Sequence, residues 1–257
     1  MDLTTEALIA AMTRFISRRG VISEIHSDNA TNYVGASRKL NKVFNDLAKN
    51  KSTQQFFERH STVFKFIPPR SPQLGGLWER AIQSAKVHMR RVIGDQILTL
   101  EEFSTLLARV EAILNSRPIM PLSDDPNDLQ ALTPGHFIAG GPLVTLPETS
   151  FLEVSANRLN KWQLVQSYAQ HIWQRWNKEY LCTLQHRTKW YRKTGNLQPD
   201  DLVLLHEDNL PPLQWRLGRV LEVFPGQDGI VRVVNVKTAA GIYKRSSVKL
   251  SLLPISD

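Results

Sequence analysis

Phe66-Ile67-Pro68-Pro69-Arg70-Ser71-Pro72-Gln73-Leu74-Gly75-Gly76-Leu77-Trp78-Glu79-Arg80 is the stretch on which the fold turns. A β-branched and aromatic run, Thr62-Val63-Phe64-Lys65-Phe66-Ile67, leads into it and predicts a strand. The prolines then stiffen the exit into a loop. After Gly75-Gly76 a helix is predicted from about Leu77 to Ile93. Trp78, Ile82, Ala85, Met89 and Val92 form its apolar stripe, and Glu79, Gln83, Lys86 and Arg90 share another face at i, i+4, i+7 and i+11.

Upstream, Thr4 to Arg19 carries Leu8, Met12, Phe15 and Ile16 at helical spacing, with Thr4 or Thr5 as cap and Gly20 as stop. Val21 to Ile25 predicts a short strand that runs into His26-Ser27-Asp28-Asn29-Ala30-Thr31-Asn32 and sets Asp28 at or just past its end. A second helix is predicted from Ser37 to Leu47, and Phe56-Phe57 suggests a further helical turn. Asp28 and Glu79 are thus one acid at a strand end and one at a helix start. Carboxylates delivered this way suit a hard divalent ion, and two such ions about 3.5–4 Å apart serve phosphoryl transfer. Glu79 is equally what a helix N-terminus favours on electrostatic grounds, and Asp28-Asn29 equally fits an ordinary Asx turn.

Further on, Leu100 to Asn115 predicts a helix with Phe103, Leu106, Leu107, Val110 and Ile113 inward, stopped by Arg117-Pro118. From Pro118 to Pro147 the chain is rich in Pro, Gly and Asp and predicts an extended connector, with a capped turn at Leu132-Thr133-Pro134-Gly135-His136-Phe137. A long helix follows from Asn157 to Thr183. Its stripe contains Leu159, Trp162, Val165, Ala169, Ile172 and Trp176, and burial is expected for Trp162 and Trp176. After Leu202 the pattern changes to short β-rich runs, 202–205, 217–224, 230–237, 242–245 and 248–252, split by turn residues. Strands at that spacing predict a small barrel with Val203, Leu205, Val220, Val223, Val231, Val233 and Val248 inside.

The 257 residues carry a formal net charge of +8, which favours a polyanionic partner, most simply nucleic acid. Basic residues and aromatics interleave around the long helix and its exit, where Lys189, Arg192 and Lys193 are the best contact candidates; Arg219, Lys244 and Arg245 add charge in the β-rich part. Cys182 is the only cysteine, so neither an internal disulfide nor a Cys-based zinc site is expected, which fits an intracellular compartment. The N-terminus does not have the pattern of a secretory signal, and no apolar run reaches membrane-spanning length.

The segment from His26 to Ala36 resembles the second-aspartate segment of retroviral and retrotransposon integrases, and Phe66 to Arg80 resembles their glutamate segment. The tryptophan before Glu79, with Leu114-Asn115-Ser116-Arg117-Pro118 and Leu132-Thr133-Pro134-Gly135-His136-Phe137, is similar to the Pao/Bel class of long-terminal-repeat retrotransposons. The resemblance implies an α/β plus all-β chain: a partial ribonuclease H-like core over 1–120, an extended connector over 121–156, a basic helical linker over 157–195, and a small Src-homology-3-like β-barrel over 196–257. It implies DNA integration, with Asp28 and Glu79 as two of three carboxylates that hold Mg²⁺ or Mn²⁺. It sets Gln83, Lys86 and Arg90 toward the element's DNA ends. DNA and further copies of the protein are the implied partners, in the nucleus and away from membranes. The family's first aspartate lies on a strand upstream of the helix that begins here at Thr4. The chain is therefore expected to be inactive alone, as a fragment of a longer polyprotein or a decayed genomic copy. The alternative is a non-catalytic DNA- or chromatin-binding module.

Overall fold

A computed structural model describes residues 3–48, 62–68, 76–123, 125–185 and 196–254. The expected helical turn at Phe56-Phe57 lies outside them. The chain divides into two compact units, Met1–Gln83 and Ser84–Asp257, and the division falls within one helix.

The first unit opens with α1 (Thr5–Arg19), and both ends are written in the sequence. Thr4 caps it by accepting the Ala7 amide at 3.3 Å, and Gly20 closes it at φ 87° with its N–H on Ile16 O. Strand β1 is Glu24–Ser27 rather than Val21–Ile25, and α2 is Thr31–Ala48, starting six residues before the expected Ser37. Both shifts follow from the partner strand β2 (Val63–Phe66), which pairs in parallel with β1 from Glu24↔Val63 to Ser27↔Phe66. A parallel pair needs a crossover connection, and α2 lies in it. Helices α1 and α2 pack closely at Gly35, where an added Cβ would stand 2.2 Å from Thr5 Oγ1. Helix α3 (Gly76–Ile93) then runs through the boundary between the units.

In the second unit α4 (Leu100–Asn115) starts at a reciprocal capping box between Thr99 and Glu102. It buries Leu106, Val110 and Ile113, while Leu107, expected inward, is exposed. The expected connector contains a short antiparallel pair, β3 (Met120–Pro121) with β4 (Ala131–Leu132), and then α5 (Pro134–Ala139), which ends at left-handed Gly140. A 3₁₀ turn at Ala156–Arg158 precedes α6 (Lys161–Leu184), which Asn160 and Gln163 cap reciprocally. Val165, Tyr168, Ala169, Ile172, Trp173 and Trp176 of α6 pack on Leu106, Val110 and Ile113 of α4. The helix expected as a linker is therefore a wall of this core. Trp162, expected to be buried, is 57% exposed. It stands in the first turn of α6 at the open rim of the core, where its neighbours Glu101, Glu102, Thr105 and Lys161 are polar and Val165 is the apolar one.

Five antiparallel strands complete the unit: β5 (Leu202–Leu205), β6 (Leu217–Pro225), β7 (Val231–Thr238), β8 (Gly241–Ser246) and β9 (Leu250–Leu252), in spatial order β8-β7-β6-β5-β9. A 3₁₀ turn, Ser247–Lys249, carries the chain from β8 back to pair β9 with β5. Val203, Leu205, Val220, Val231, Val234, Val236 and Leu250 fill the sheet's interior. Alternation sets Val234 and Val236 inward and leaves Val233 half-buried, while Val248, expected inside, is 70% exposed on the 3₁₀ turn. Gly218 is required where β6 passes β7, because a Cβ there would stand 2.4 Å from Val236 Cγ1. On the sheet's other face Leu202 and Leu204 meet Leu181 of α6, so β5 is buried on both sides.

Helix and sheet lock together through rings. Trp215 lies edge-on to Trp173, Trp176 and Tyr180, with centroids 5.0, 5.8 and 5.4 Å away, and its Nε1 donates to Ser116 Oγ at 3.2 Å. Trp215→Ala is expected to cost about 3 kcal/mol, read as a lower urea midpoint at unchanged m. Acid acts on the same unit. Burial holds the His206 and His88 imidazoles below the ordinary histidine pKa, aided by Lys249 near His206 and opposed by Glu179 near His88. As pH falls below about 6.5 the unfolded chain binds these protons first, so stability present above that pH is lost as it falls. The urea midpoint is expected to be lower at pH 5.5 than at pH 7.5, by a smaller margin in His206→Gln.

Candidate functional site

The parallel pairing of β1 and β2 brings both C-terminal strand ends to one edge of the sheet. Asp28 follows β1 at that edge, exposed, with Oδ1 accepting the Ala30 amide at 3.1 Å. This Asx turn leads directly into α2 at Thr31. Asn29 donates from Nδ2 to Ile67 O at 2.8 Å and so ties the end of β1 to the end of β2. Ile67 N–H in turn donates to Ser27 O at 3.0 Å. The turn around Asp28 is therefore held by bonds from both strands, while Asp28 Oδ2 has no bond among the described residues.

Glu79 lies in the first turn of α3 and is exposed. Residues 69–75, which connect β2 to α3, lie outside the described residues. Gln83, Lys86 and Arg90 are exposed further along α3, while His88, on another side, is buried with its Nε2 2.9 Å from Glu179 Oε2. The four residues at i, i+4, i+7 and i+11 thus point to solvent along one continuous helix; Glu79 and Gln83 belong to the first unit, Lys86 and Arg90 to the second. Asp28 and Glu79 are hard oxygen donors that suit Mg²⁺. Among the described residues, no three His, Cys, Asp or Glu side chains come together as a metal-holding group.

The basic candidates divide sharply. Lys189, Arg192 and Lys193 lie outside the described residues. Lys244 is exposed on β8, with Nζ 4.4 Å from the Phe224 ring centroid. Arg245, half-buried, lies 5.1 Å over the Tyr243 ring and 3.9 Å from Glu207 Oε1. The ring quadrupoles attract both cations and hold them over the aromatic faces. Arg219 is different. It is 7% exposed, and its guanidinium donates to Asp200 O at 2.9 Å, Asp125 O at 3.0 Å and Asp128 O at 2.8 Å. Expected at a nucleic-acid face, it instead clamps the 125–128 loop to the start of the sheet. Nothing local in the sequence separates it from an exposed arginine, because its acceptors are carbonyls of residues far away in the chain.

A family of unknown function (DUF5641) matches residues 160–253, from the cap of α6 through β9. No curated protein matches the chain. Among 40 matching chains of solved structures is one from the cryoEM structure of the simian T-cell lymphotropic virus intasome in complex with PP2A regulatory subunit B56 gamma. It is 12% identical with a TM-score of 0.35, and the match covers 99% of this chain and 66% of that one. The present chain thus spans just under two thirds of that chain's length. Among the described residues no helix is long and apolar enough to cross a membrane.

Arg219→Met is expected to leave three carbonyls without their donor and to cost about 3 kcal/mol. Urea unfolding measures that loss.

Proposed function

We propose that the chain is an integrase-type protein of the Pao/Bel class that binds DNA, with Asp28 and Glu79 as two carboxylate ligands of a ribonuclease H-like metal site. The parallel β1–α2–β2 unit carries this reading. It sets Asp28 beyond the end of one strand, and the neighbouring strand ends at the same edge, ahead in sequence of the helix that bears Glu79. The motifs around both acids support it independently. A bound divalent ion would polarise a phosphodiester oxygen and stabilise charge on the attacking and leaving groups. The chain's own part is to hold Asp28 fixed through the Asx turn and the Asn29–Ile67 bond, and to present Lys86 and Arg90 to the DNA backbone.

The C-terminal sheet supports a Src-homology-3-like barrel in this reading. Its strands run fourth-third-second-first-fifth in space, with a 3₁₀ turn between the fourth and the fifth. Lys244 and Arg245, backed by Phe224 and Tyr243, make its second DNA-contacting element. Exposed cations on that barrel also favour a simpler reading, in which the chain binds DNA without metal chemistry.

Duplex DNA affinity measured from 50 to 300 mM salt separates the two. Binding with a log–log slope that becomes shallower by about 1.8 in Lys244→Gln/Arg245→Gln is expected if each cation neutralises one phosphate. If Asp28 and Glu79 hold an ion at the DNA, Mg²⁺ tightens wild-type binding and leaves Asp28→Asn/Glu79→Gln unaffected. Equal Mg²⁺ response in both proteins would favour the metal-free reading, and no binding at low salt would defeat both.

A further inference from the structure

Helix α6 carries three carboxamides at i, i+4 and i+7, Gln170, Gln174 and Asn177, which places them along one face. Gln170 shows what such a group does here. Its Oε1 accepts the Phe151 amide at 2.8 Å and its Nε2 donates to Thr149 O at 2.8 Å. One carboxamide thus reads the backbone of a non-helical segment through both of its polar atoms. Two turns along, Asn177 offers the same pair of atoms. It is 7% exposed, lines a groove with Gln174, and has no side-chain hydrogen bond among the described residues. Its carboxamide atoms are not sealed from solvent and so meet the groove, where a leucine would have added apolar cover at no polar cost.

The groove lies between α6 and the 207–212 loop, wholly within the second unit. Trp173, Leu210 and Pro211 give it apolar walls, and the Trp173 Nε1–Leu210 O bond of 2.8 Å fixes the loop against the helix. Its lining holds Glu148, Glu207, Asp208 and Lys178, and Glu207 is already paired with Arg216 at 3.1 Å and with Arg245 at 3.9 Å. Glu148 is committed to Arg109 at 2.6 Å and buried. Asp208, in contrast, meets Lys178 at 3.0 Å in a pair that is mostly exposed on both sides, the weak kind that an incoming cation can rearrange.

We propose that this groove binds an extended polypeptide segment of a partner protein. Its backbone N–H and C=O pair with Asn177 and Gln174 as the chain's own residues 149–151 pair with Gln170, and a Lys or Arg side chain turns toward Asp208. The proposal is independent of the Asp28–Glu79 reading, since no residue is shared.

End-blocked, fluorescent heptapeptides of Ser and Val around a central Arg, Lys, Ser or Glu test it by polarisation on the full chain. The Arg and Lys peptides are expected to bind saturably, at least tenfold tighter than the Ser and Glu peptides. Asn177→Leu is expected to weaken the Arg peptide at least tenfold while its thermal midpoint stays level or rises. Asp208→Asn is expected to narrow the gap between the Arg and Ser peptides. The proposal falls if no peptide saturates, if Asn177→Leu binds as wild type does, or if that variant melts several degrees lower, which would make Asn177 a packing residue. Self-association that Asn177→Leu abolishes, with no peptide binding, would assign the groove to a second copy of the chain and overturn the proposal.

Discussion

The second unit depends on where Trp215 goes. The residue precedes β6, yet its ring sits edge-on among Trp173, Trp176 and Tyr180 of α6, and its N–H reaches the C-cap of α4 at Ser116. One side chain therefore fixes three elements at once. Edge-to-face rings are directional as well as apolar, so the contact sets orientation beyond what area burial alone would give. Tyr180 extends the lock by donating from its hydroxyl to Pro118 O, and burial pushes that phenol up to about 12. The hydroxyl thus stays protonated and a donor across the physiological range.

The first unit rests on a different constraint, the parallel register of β1 and β2. A parallel pair cannot be closed by a tight turn, so the strands are specified by partners far apart in sequence. Register is what gives Asp28 its place. Slipping the pair by one residue would turn Ser27, now buried, to the other face and separate Asn29 from Ile67 O. The function proposed for Asp28 is thus a property of pairing, and Asn29 reports that pairing directly.

This difference explains what could be read from the residues alone. Helices α1 and α4 were legible to within a residue because their caps are local: Thr4 and Gly20 for the first, Thr99 with Glu102 for the second. Strand β1 was displaced by three residues because its start is set by Val63 and its neighbours. The role of α6 was obscured for another reason. Ser167, Gln170 and Asn177 are buried on it, so its polarity suggests a solvated helix although it walls the core. Asp28 and Glu79 stand out as candidates from their motifs; the bond that braces Asp28 does not, since Asn29 and Ile67 are 38 positions apart. Sequence pattern could order five strands along the chain, but it could not show that β9 returns to pair with β5.

The arginines carry the same lesson into electrostatics. Arg219 and Arg245 are alike in composition terms, and each adds one charge to a basic chain. Burial makes Arg219 a brace for carbonyls, while Arg245, on the edge strand of the sheet, keeps a guanidinium near solvent over Tyr243. The covering loop decides this, because the carbonyls of Asp125 and Asp128 close over Arg219, while Arg245 lies on the edge strand β8. Charge that the fold consumes internally cannot steer a polyanion, and charge left on an edge strand can. The net charge of +8 counts Arg219, which is committed to backbone carbonyls inside the fold, on the same footing as Lys86, Arg90 and Lys244, which stand exposed.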